Sequence, residues 1–244
     1  MRTLIASHRG GSLEWPENSP TSFRNTASLP VDQVEFDIHP TADGEIVVIH
    51  DPTLDRTTSG SGPVATRTLA DLRAFTLNGT AGEHMLTLAE LVALFAPTAI
   101  TLRMEVKYDT EHVPYPGLLT RALAVLDAAG MRGRTVVTSF QADTMAKAAA
   151  TPGLAGAIWL VAPPVQDDIG LDGIAAVAAA IGVRAVGLRQ NRLDASGIAN
   201  LRGRGLGVGA WAVNDEAAIR KVLALGVDVF TTDIPTRALA LRGG

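Results

Sequence analysis

Short runs rich in Val, Ile and Leu recur along this chain with Ala- and Leu-rich stretches between them, and that alternation narrows the fold more than any other feature. Read as strands, the runs are Leu4 to Ser7, Val34 to Ile38, Ile46 to Ile49, Ile100 to Val106, Thr135 to Ser139, Ala157 to Val161, Ala185 to Leu188, Leu206 to Val213 and Val229 to Thr232. Helical periods cover Tyr115 to Ala129, Ala142 to Ala150, Leu171 to Ile181, Ala195 to Arg202 and Glu216 to Leu225. Gly130, Gly182 and Gly226 stand just past three of these, where glycine favours helix termination. One of the nine strands falls outside the alternation. Asp43-Gly44 lies between two β runs as a hairpin signal, and a two-residue turn makes Ile46 to Ile49 antiparallel to the run before it.

Eight parallel strands alternating with helices predict an α/β fold, a TIM (β/α)8 barrel with a small β-hairpin and loop insertion after strand 2. The 244 residues are close to the roughly 250 of one such barrel. A single domain over 1–244 is expected, with 51–86 as a small excursion over the barrel mouth. No GxGxxG or GxxxxGKS/T run follows a strand, which argues against a nucleotide-binding open sheet.

Composition closes off other classes. Hydrophobic residues at 47% and charged residues at 19% suit a folded globular chain. A net charge of -4 without a block of consecutive Lys or Arg lacks the footprint of a nucleic-acid binder, so any anion must meet a local site. The absence of Cys removes disulfides, thiolate ligands and Cys nucleophiles. The apolar stretch before His8-Arg9 is too brief for a signal-peptide core, and no run approaches the ~18 apolar residues of a membrane span. The expectation is a cytoplasmic protein without membrane insertion. Barrels of this size occur as monomers and as homodimers, and the sequence leaves both open.

Four motifs fall at strand ends, where a barrel gathers its functional groups: His8-Arg9-Gly10, Glu35-Phe36-Asp37, His50-Asp51 and Glu105-Val106-Lys107. Taken alone, Glu-x-Asp is most often a solvated strand edge; the weight lies in the conjunction. Residues two apart on a strand share a face, so Glu35 projects with Asp37 and Glu105 with Lys107, while Phe36 and Val106 point toward the helices. A two-residue loop at Asp43-Gly44 would pair residues whose numbers sum to 87, which sets His50 opposite Asp37. Three carboxylates in a partly buried mouth repel one another unless compensated. One divalent cation, Mg2+ or Ca2+, removes the difficulty, because oxygen-only ligands suit hard ions. Arg9 and Lys107 add two positive charges, and a phosphodiester monoanion then brings the set to neutrality. His8 and His50 are the acid-base pair, since imidazole titrates near neutral pH. Arg9 offers a planar fork to phosphate oxygens and Lys107 a point charge.

With these residues in place the chain resembles the glycerophosphodiester phosphodiesterase family. The matching motifs run in family order from residue 8 to residue 235: His8-Arg9-Gly10, Pro16-Glu17-Asn18, Glu35-Phe36-Asp37, Asp43-Gly44, Val47-Val48-Ile49-His50-Asp51, Leu54-Asp55-Arg56-Thr57-Thr58, Glu105-Val106-Lys107, Ser139-Phe140, Trp211-Ala212-Val213-Asn214 and Thr231-Thr232-Asp233-Ile234-Pro235. The resemblance implies that His8 and His50 are general acid and base, that Glu35, Asp37 and Glu105 hold the ion, and that Arg9 and Lys107 engage phosphate. It implies a small glycerophosphodiester as substrate, cleaved to sn-glycerol 3-phosphate and an alcohol, by water directly or through a cyclic phosphate. The family usually has Thr after Pro-Glu-Asn, where Ser19-Pro20 stands; Ala212 replaces a common Thr and Val229 a common Gly.

Trp211 is read as packing against the glycerol moiety or as a rim aromatic, and Asp51 as an acceptor for His50. Trp15, in the first loop, is read as shaping the pocket, and Trp159 as part of the barrel wall. His39, placed on the side opposite Asp37, joins His84 and His112 as structural or solvated. The nearest rival is a lysophospholipase D or sphingomyelinase D-like enzyme acting on a lipid, against which 51–86 offers few large apolar residues and no amphipathic membrane helix. A non-catalytic binding module would have lost a His or a metal carboxylate, and neither is lost.

Overall fold

Eight parallel strands close on themselves in a computed structural model that describes residues 2–243. In chain order the elements are β1 (Leu4–His8), α1 (Pro20–Ala27), β2 (Gln33–Pro40), β3 (Ile46–Val48), α2 (Leu69–Leu72), α3 (Leu88–Phe95), β4 (Thr101–Val106), α4 (Leu118–Ala128), β5 (Thr135–Ser139), α5 (Ala142–Ala149), β6 (Gly156–Leu160), α6 (Pro163–Ala180), β7 (Ala185–Arg189), α7 (Ala195–Gly203), β8 (Gly207–Trp211), α8 (Glu216–Leu225), β9 (Val229–Thr232) and α9 (Pro235–Gly243). Parallel ladders join β1, β2 and β4 through β9 in turn, and β9 returns to β1. Only β3 stands outside, antiparallel on β2. The fold is therefore the (β/α)8 barrel that the alternation predicts, with its extra hairpin strand.

The two-residue periodicity of strands divides the side chains between two layers. Ile5, Val34, Phe36, Leu102, Met104 and Val137 pack outward against Phe23, Leu91 and Phe95 of the helices in the main core. Ala6, Val136, Ile158 and Val229 point inward and plug the barrel interior. Toward the strand C-termini the inward positions turn mostly polar, with Leu160 and Trp211 as apolar exceptions, and that change of character is what makes the mouth.

Helix boundaries follow their caps. Ser19 caps α1 reciprocally with Ser22, and Pro20 fills the first turn, so the Ser19-Pro20 departure suits the helix start. Asp215 caps α8, whose end is closed by Gly226 in the left-handed region. Gly170, at φ 61 and ψ -177, is non-helical and divides α6 into two helical runs, the second of which begins at Leu171 as read.

The hairpin register differs from expectation. Ile38 faces Val48, His39 faces Val47 and Pro40 faces Ile46, so paired numbers sum to 86 and not 87. Thr41 N–H donates to Glu45 O at 2.9 Å and Gly44 N–H to Thr41 O at 3.2 Å, so the loop holds three residues, with Gly44 at φ 89 as the extra one. A type I turn followed by a left-handed glycine is the three-residue hairpin solution. Ile49 N–H, not a group of His50, consequently meets Asp37 O at 3.1 Å. His50 reaches the mouth because β3 ends at Val48 and the chain turns after it. His39 likewise departs from expectation: being two residues along β2 it shares the side of Asp37, and it is fully buried.

Residues 51–86 carry a satellite core in which Leu54, Val64, Leu72 and Met85 pack with Val47 and Ile49. Its large apolar side chains are thus spent on its own interior. Among the described residues no helix is long and apolar enough to cross a membrane.

Candidate active site

The parallel register assembles the site rung by rung. His8 neighbours Glu35, Glu35 neighbours Arg103, and Asp37 neighbours Glu105. One carboxylate oxygen each from Glu35, Asp37 and Glu105 falls within 4.8 Å of the others, and all three side chains are buried. Their surroundings treat them unequally. Burial, then the adjacent Asp37 carboxylate, push Glu35 up to about 7. Burial would also raise Asp37, but Lys107, His50 and Arg9 outweigh it and hold that carboxyl well below the usual range.

The cations close around the same oxygens. Lys107 Nζ donates to Glu105 Oε1 at 2.8 Å and lies 3.5 Å from Asp37 Oδ1. Burial opposes the Lys107 charge, yet Glu105 and Asp37 raise its pKa overall. Arg9 follows β1 at φ 51, a left-handed conformation that brings its N–H to Glu35 Oε2 at 3.0 Å and its Nε within 3.5 Å of Asp37 Oδ2. Asn18 Nδ2 donates to Asp37 Oδ2 at 3.0 Å. Asp37 Oδ1 and Arg9 Nε remain buried without a hydrogen-bond partner. Asp37 Oδ1 has the Lys107 charge at 3.5 Å but no hydrogen bond, which costs a buried carboxylate oxygen about 1–3 kcal/mol, so this position is shaped for something beyond the side chains around it. An all-oxygen cluster with an orphaned oxygen fits a hard divalent cation.

Each imidazole is anchored through one nitrogen. His8 Nδ1 donates to Asp233 Oδ1 at 2.5 Å, while its Nε2 lies 3.8 Å from Glu35 Oε2. Burial lowers the His8 pKa, but Glu35 and Asp233 overcome it, and the net direction is upward. His50 Nδ1 donates to Asp51 Oδ1 at 2.6 Å. A carboxylate can only accept, so in both rings the neutral tautomer keeps Nε2 as a lone pair free for substrate. His39 stays out of this chemistry: its Nε2–H donates to His50 O at 3.1 Å, its Nδ1 pairs with Tyr115 Oη at 3.2 Å, and burial brings it down to about 4.

A cavity of about 280 Å³ joins His8, Arg9, Glu35, His50 and Glu105 to an apolar side formed by Phe140, Leu160 and Trp211. Trp211 ends β8 with Nε1 donating to Gly187 O at 3.2 Å and its ring edge-on to Phe140 at 5.9 Å. Among the sequence-predicted residues, Asp37 and Lys107 are absent from the cavity wall: Asp37 is fully buried, and Lys107 sits behind the carboxylates. Trp159 is buried with Nε1 on Phe140 O, in keeping with a place in the barrel wall.

Three contributors were not singled out in advance. Asp233 lies 225 positions from His8, yet β9 is the strand next to β1. Arg103 is buried inside the barrel beside Glu35 and Glu105, with Nη1 donating to Gln33 Oε1 at 3.4 Å, and burial takes it down to about 10. Its signal was the same alternation that groups Glu105 with Lys107, carried two residues back. Phe140 follows β5 and stood inside a quoted motif without a role.

A (β/α)8 barrel whose mouth gathers three buried carboxylates and two imidazoles has the architecture of a barrel enzyme. The model of the glycerophosphoryl diester phosphodiesterase family matches residues 8–237, and the chain belongs to that family, which makes it a phosphoric diester hydrolase. A glycerophosphodiester phosphodiesterase of Caldanaerobacter subterraneus is 34% identical over 145 residues, covering 57% of this chain and 59% of that relative. One from Bacillus altitudinis is 26% identical over 245 residues, 98% of each chain. A crystal structure from Agrobacterium tumefaciens, named as a glycerophosphoryl diester phosphodiesterase, superposes at a TM-score of 0.97 with 40% identity over 100% of this chain and 98% of that one.

Proposed function

We propose that the protein hydrolyses small glycerophosphodiesters to sn-glycerol 3-phosphate and the free alcohol, using one divalent cation held by Glu35, Asp37 and Glu105, with His8 and His50 as the acid-base pair. The observation that carries this reading is the convergence of three buried carboxylates, one oxygen of each within 4.8 Å of the others, with Asp37 Oδ1 fully buried and without a hydrogen-bond partner. Mg2+ or Ca2+ suits this donor set, and when bound the ion supplies positive charge against the phosphate oxygens.

Arg9 adds donors from the cavity wall and Lys107 adds positive charge from behind the carboxylates, stabilising charge that develops on phosphorus-bound oxygen. Both imidazoles have Nδ1 fixed on a carboxylate, so each offers Nε2 for a proton. One, neutral, takes at Nε2 the proton of the attacking water or glycerol hydroxyl as the other, entering the step as the imidazolium, gives its Nε2 proton to the leaving alkoxide. A cyclic phosphate formed by the hydroxyl route is then opened by water. Trp211 and Phe140, packed edge to face, form an apolar wall suited to the carbon face of glycerol. The satellite core under 51–86 keeps its large apolar side chains from an acyl chain, which favours the water-soluble diester over a lysophospholipid.

The test is incubation with glycerophosphocholine and with a lysophospholipid, with and without EDTA, following choline and glycerol phosphate. Release of both products from glycerophosphocholine, abolished by EDTA and restored by Mg2+ or Ca2+, is expected. Metal-insensitive turnover refutes the mechanism, and turnover of the lipid alone refutes the substrate class.

A further inference from the structure

The rim of the mouth carries a hydrogen-bonded chain that proton transfer and phosphate binding do not by themselves require. Its centre is Arg56, on the excursion after β3. Arg56 Nε and Nη2 donate to Asp51 Oδ2 and Oδ1 at 2.7 and 3.0 Å. Its other edge donates from Nη1 and Nη2 to Glu17 Oε2 and Oε1 at 2.7 and 2.9 Å. Each clamped carboxylate holds one functional side chain: Asp51 accepts from His50 Nδ1 at 2.6 Å, and Glu17 accepts from Arg9 Nη1 at 3.1 Å.

We infer that Arg56 is a positioning residue that locks His50 and Arg9 into one geometry, coupling the proton-transfer group to the phosphate-binding group. The inference rests on the roles proposed above for those two side chains. The physical ground is the planar guanidinium, which serves two carboxylates through parallel bonds at fixed angles; a lysine ammonium has no such fork. Glu17 and Asp51 carry like charges brought to the same cation, so removing it leaves them repelling and frees the side chains they orient. The Arg56 side chain is 48% exposed, which sets it apart from the packing of the satellite core. Its backbone is nevertheless held, since Asn78 Nδ2 donates to Arg56 O at 3.2 Å and Thr58 N–H to Leu54 O at 3.1 Å. The excursion thereby acts as a bracket that presents Arg56 to the mouth.

Steady-state kinetics on glycerophosphocholine at saturating metal test this with Arg56→Gln, Arg56→Lys, Asp51→Asn, Glu17→Gln and the two double variants that contain Arg56→Gln. Arg56→Gln is expected to lower kcat and raise KM, each by about tenfold, as lost supporting contacts do. Asp51→Asn should fall mainly on kcat and Glu17→Gln mainly on KM. In the double variants the losses should be well short of the product of the singles, because each pair acts through one chain. Arg56→Lys should recover little, and in a further variant, Arg56→Ala, which should lose activity as Arg56→Gln does, millimolar guanidinium should restore part of it without changing wild type. Wild-type kcat and KM in Arg56→Gln, freely multiplying losses, or a change in melting temperature alone would overturn the inference while leaving the proposed function standing. A wild-type protein inactive on the diester would overturn both.

Discussion

Asp37 on β2 and Glu105 on β4 are direct neighbours in a parallel ladder, and Lys107 reaches the carboxylates of both. Nothing in the folding of two barrel strands favours two acids on one rung, and Glu35 adds a third two residues down. The site therefore costs stability when no cation is bound, and its first consequences are thermodynamic.

Glu35 is held at about 7 against an ordinary 4.5, by burial first and by Asp37 second. Between those values the folded chain keeps a proton that the unfolded chain has released, so metal-free stability falls as pH rises through that window. Glu35→Gln should accordingly raise the melting temperature of the metal-free protein at pH 8 while abolishing the further rise that Mg2+ or Ca2+ gives wild type. Differential scanning fluorimetry with EDTA or metal reads both; a metal-free variant less stable than wild type contradicts the electrostatic account.

Both histidines are expected to be needed for turnover and neither for folding. His8→Asn and His50→Asn should each lower kcat by about 10²–10⁴-fold, with melting temperatures near wild type. Stopped assays on glycerophosphocholine decide this, and a variant retaining most of its kcat removes that ring from the acid-base pair.

Burial draws His39 from 6.5 down to about 4, and its two ring nitrogens pair with Tyr115 and the His50 carbonyl as a neutral imidazole would. The unfolded chain binds a proton below 6.5 that the folded chain refuses, so stability is complete above 6.5 and is lost as pH falls toward 4. The slope amounts to roughly 3 kcal/mol over that window. His39→Gln should flatten it in urea titrations at a series of pH values; an unchanged slope would place the sensitivity elsewhere.

Trp211→Ala should raise KM for glycerophosphocholine by roughly tenfold and leave kcat within a few-fold, as loss of uniform binding does. An equal fall in kcat and kcat/KM would instead assign the ring to the transition state.

The eight-strand count and the inward carboxylates were legible because both rest on periodicities of the backbone. Glu35, Asp37 and Glu105 project as alternation demands, and His8 ends its strand as read. The hairpin register was missed by one residue because Gly44 takes a left-handed φ and lengthens the loop, a choice of turn that the Asp-Gly pair alone does not make. His50 arrives in the mouth all the same, by the turn after β3 and not by the ladder. Asp233 and the Glu17–Arg56 contact were illegible for a different reason: they join segments far apart in the chain, and only barrel closure and the folded excursion bring them together.

The most direct measurement is a crystal structure of the protein grown with Mg2+ or Ca2+. The account predicts a single ion bonded to carboxylate oxygens of Glu35, Asp37 and Glu105, at about 2.1 Å for Mg2+ or about 2.4 Å for Ca2+. Three carboxylates without an ion between them at saturating metal, or an ion bound elsewhere, would contradict it.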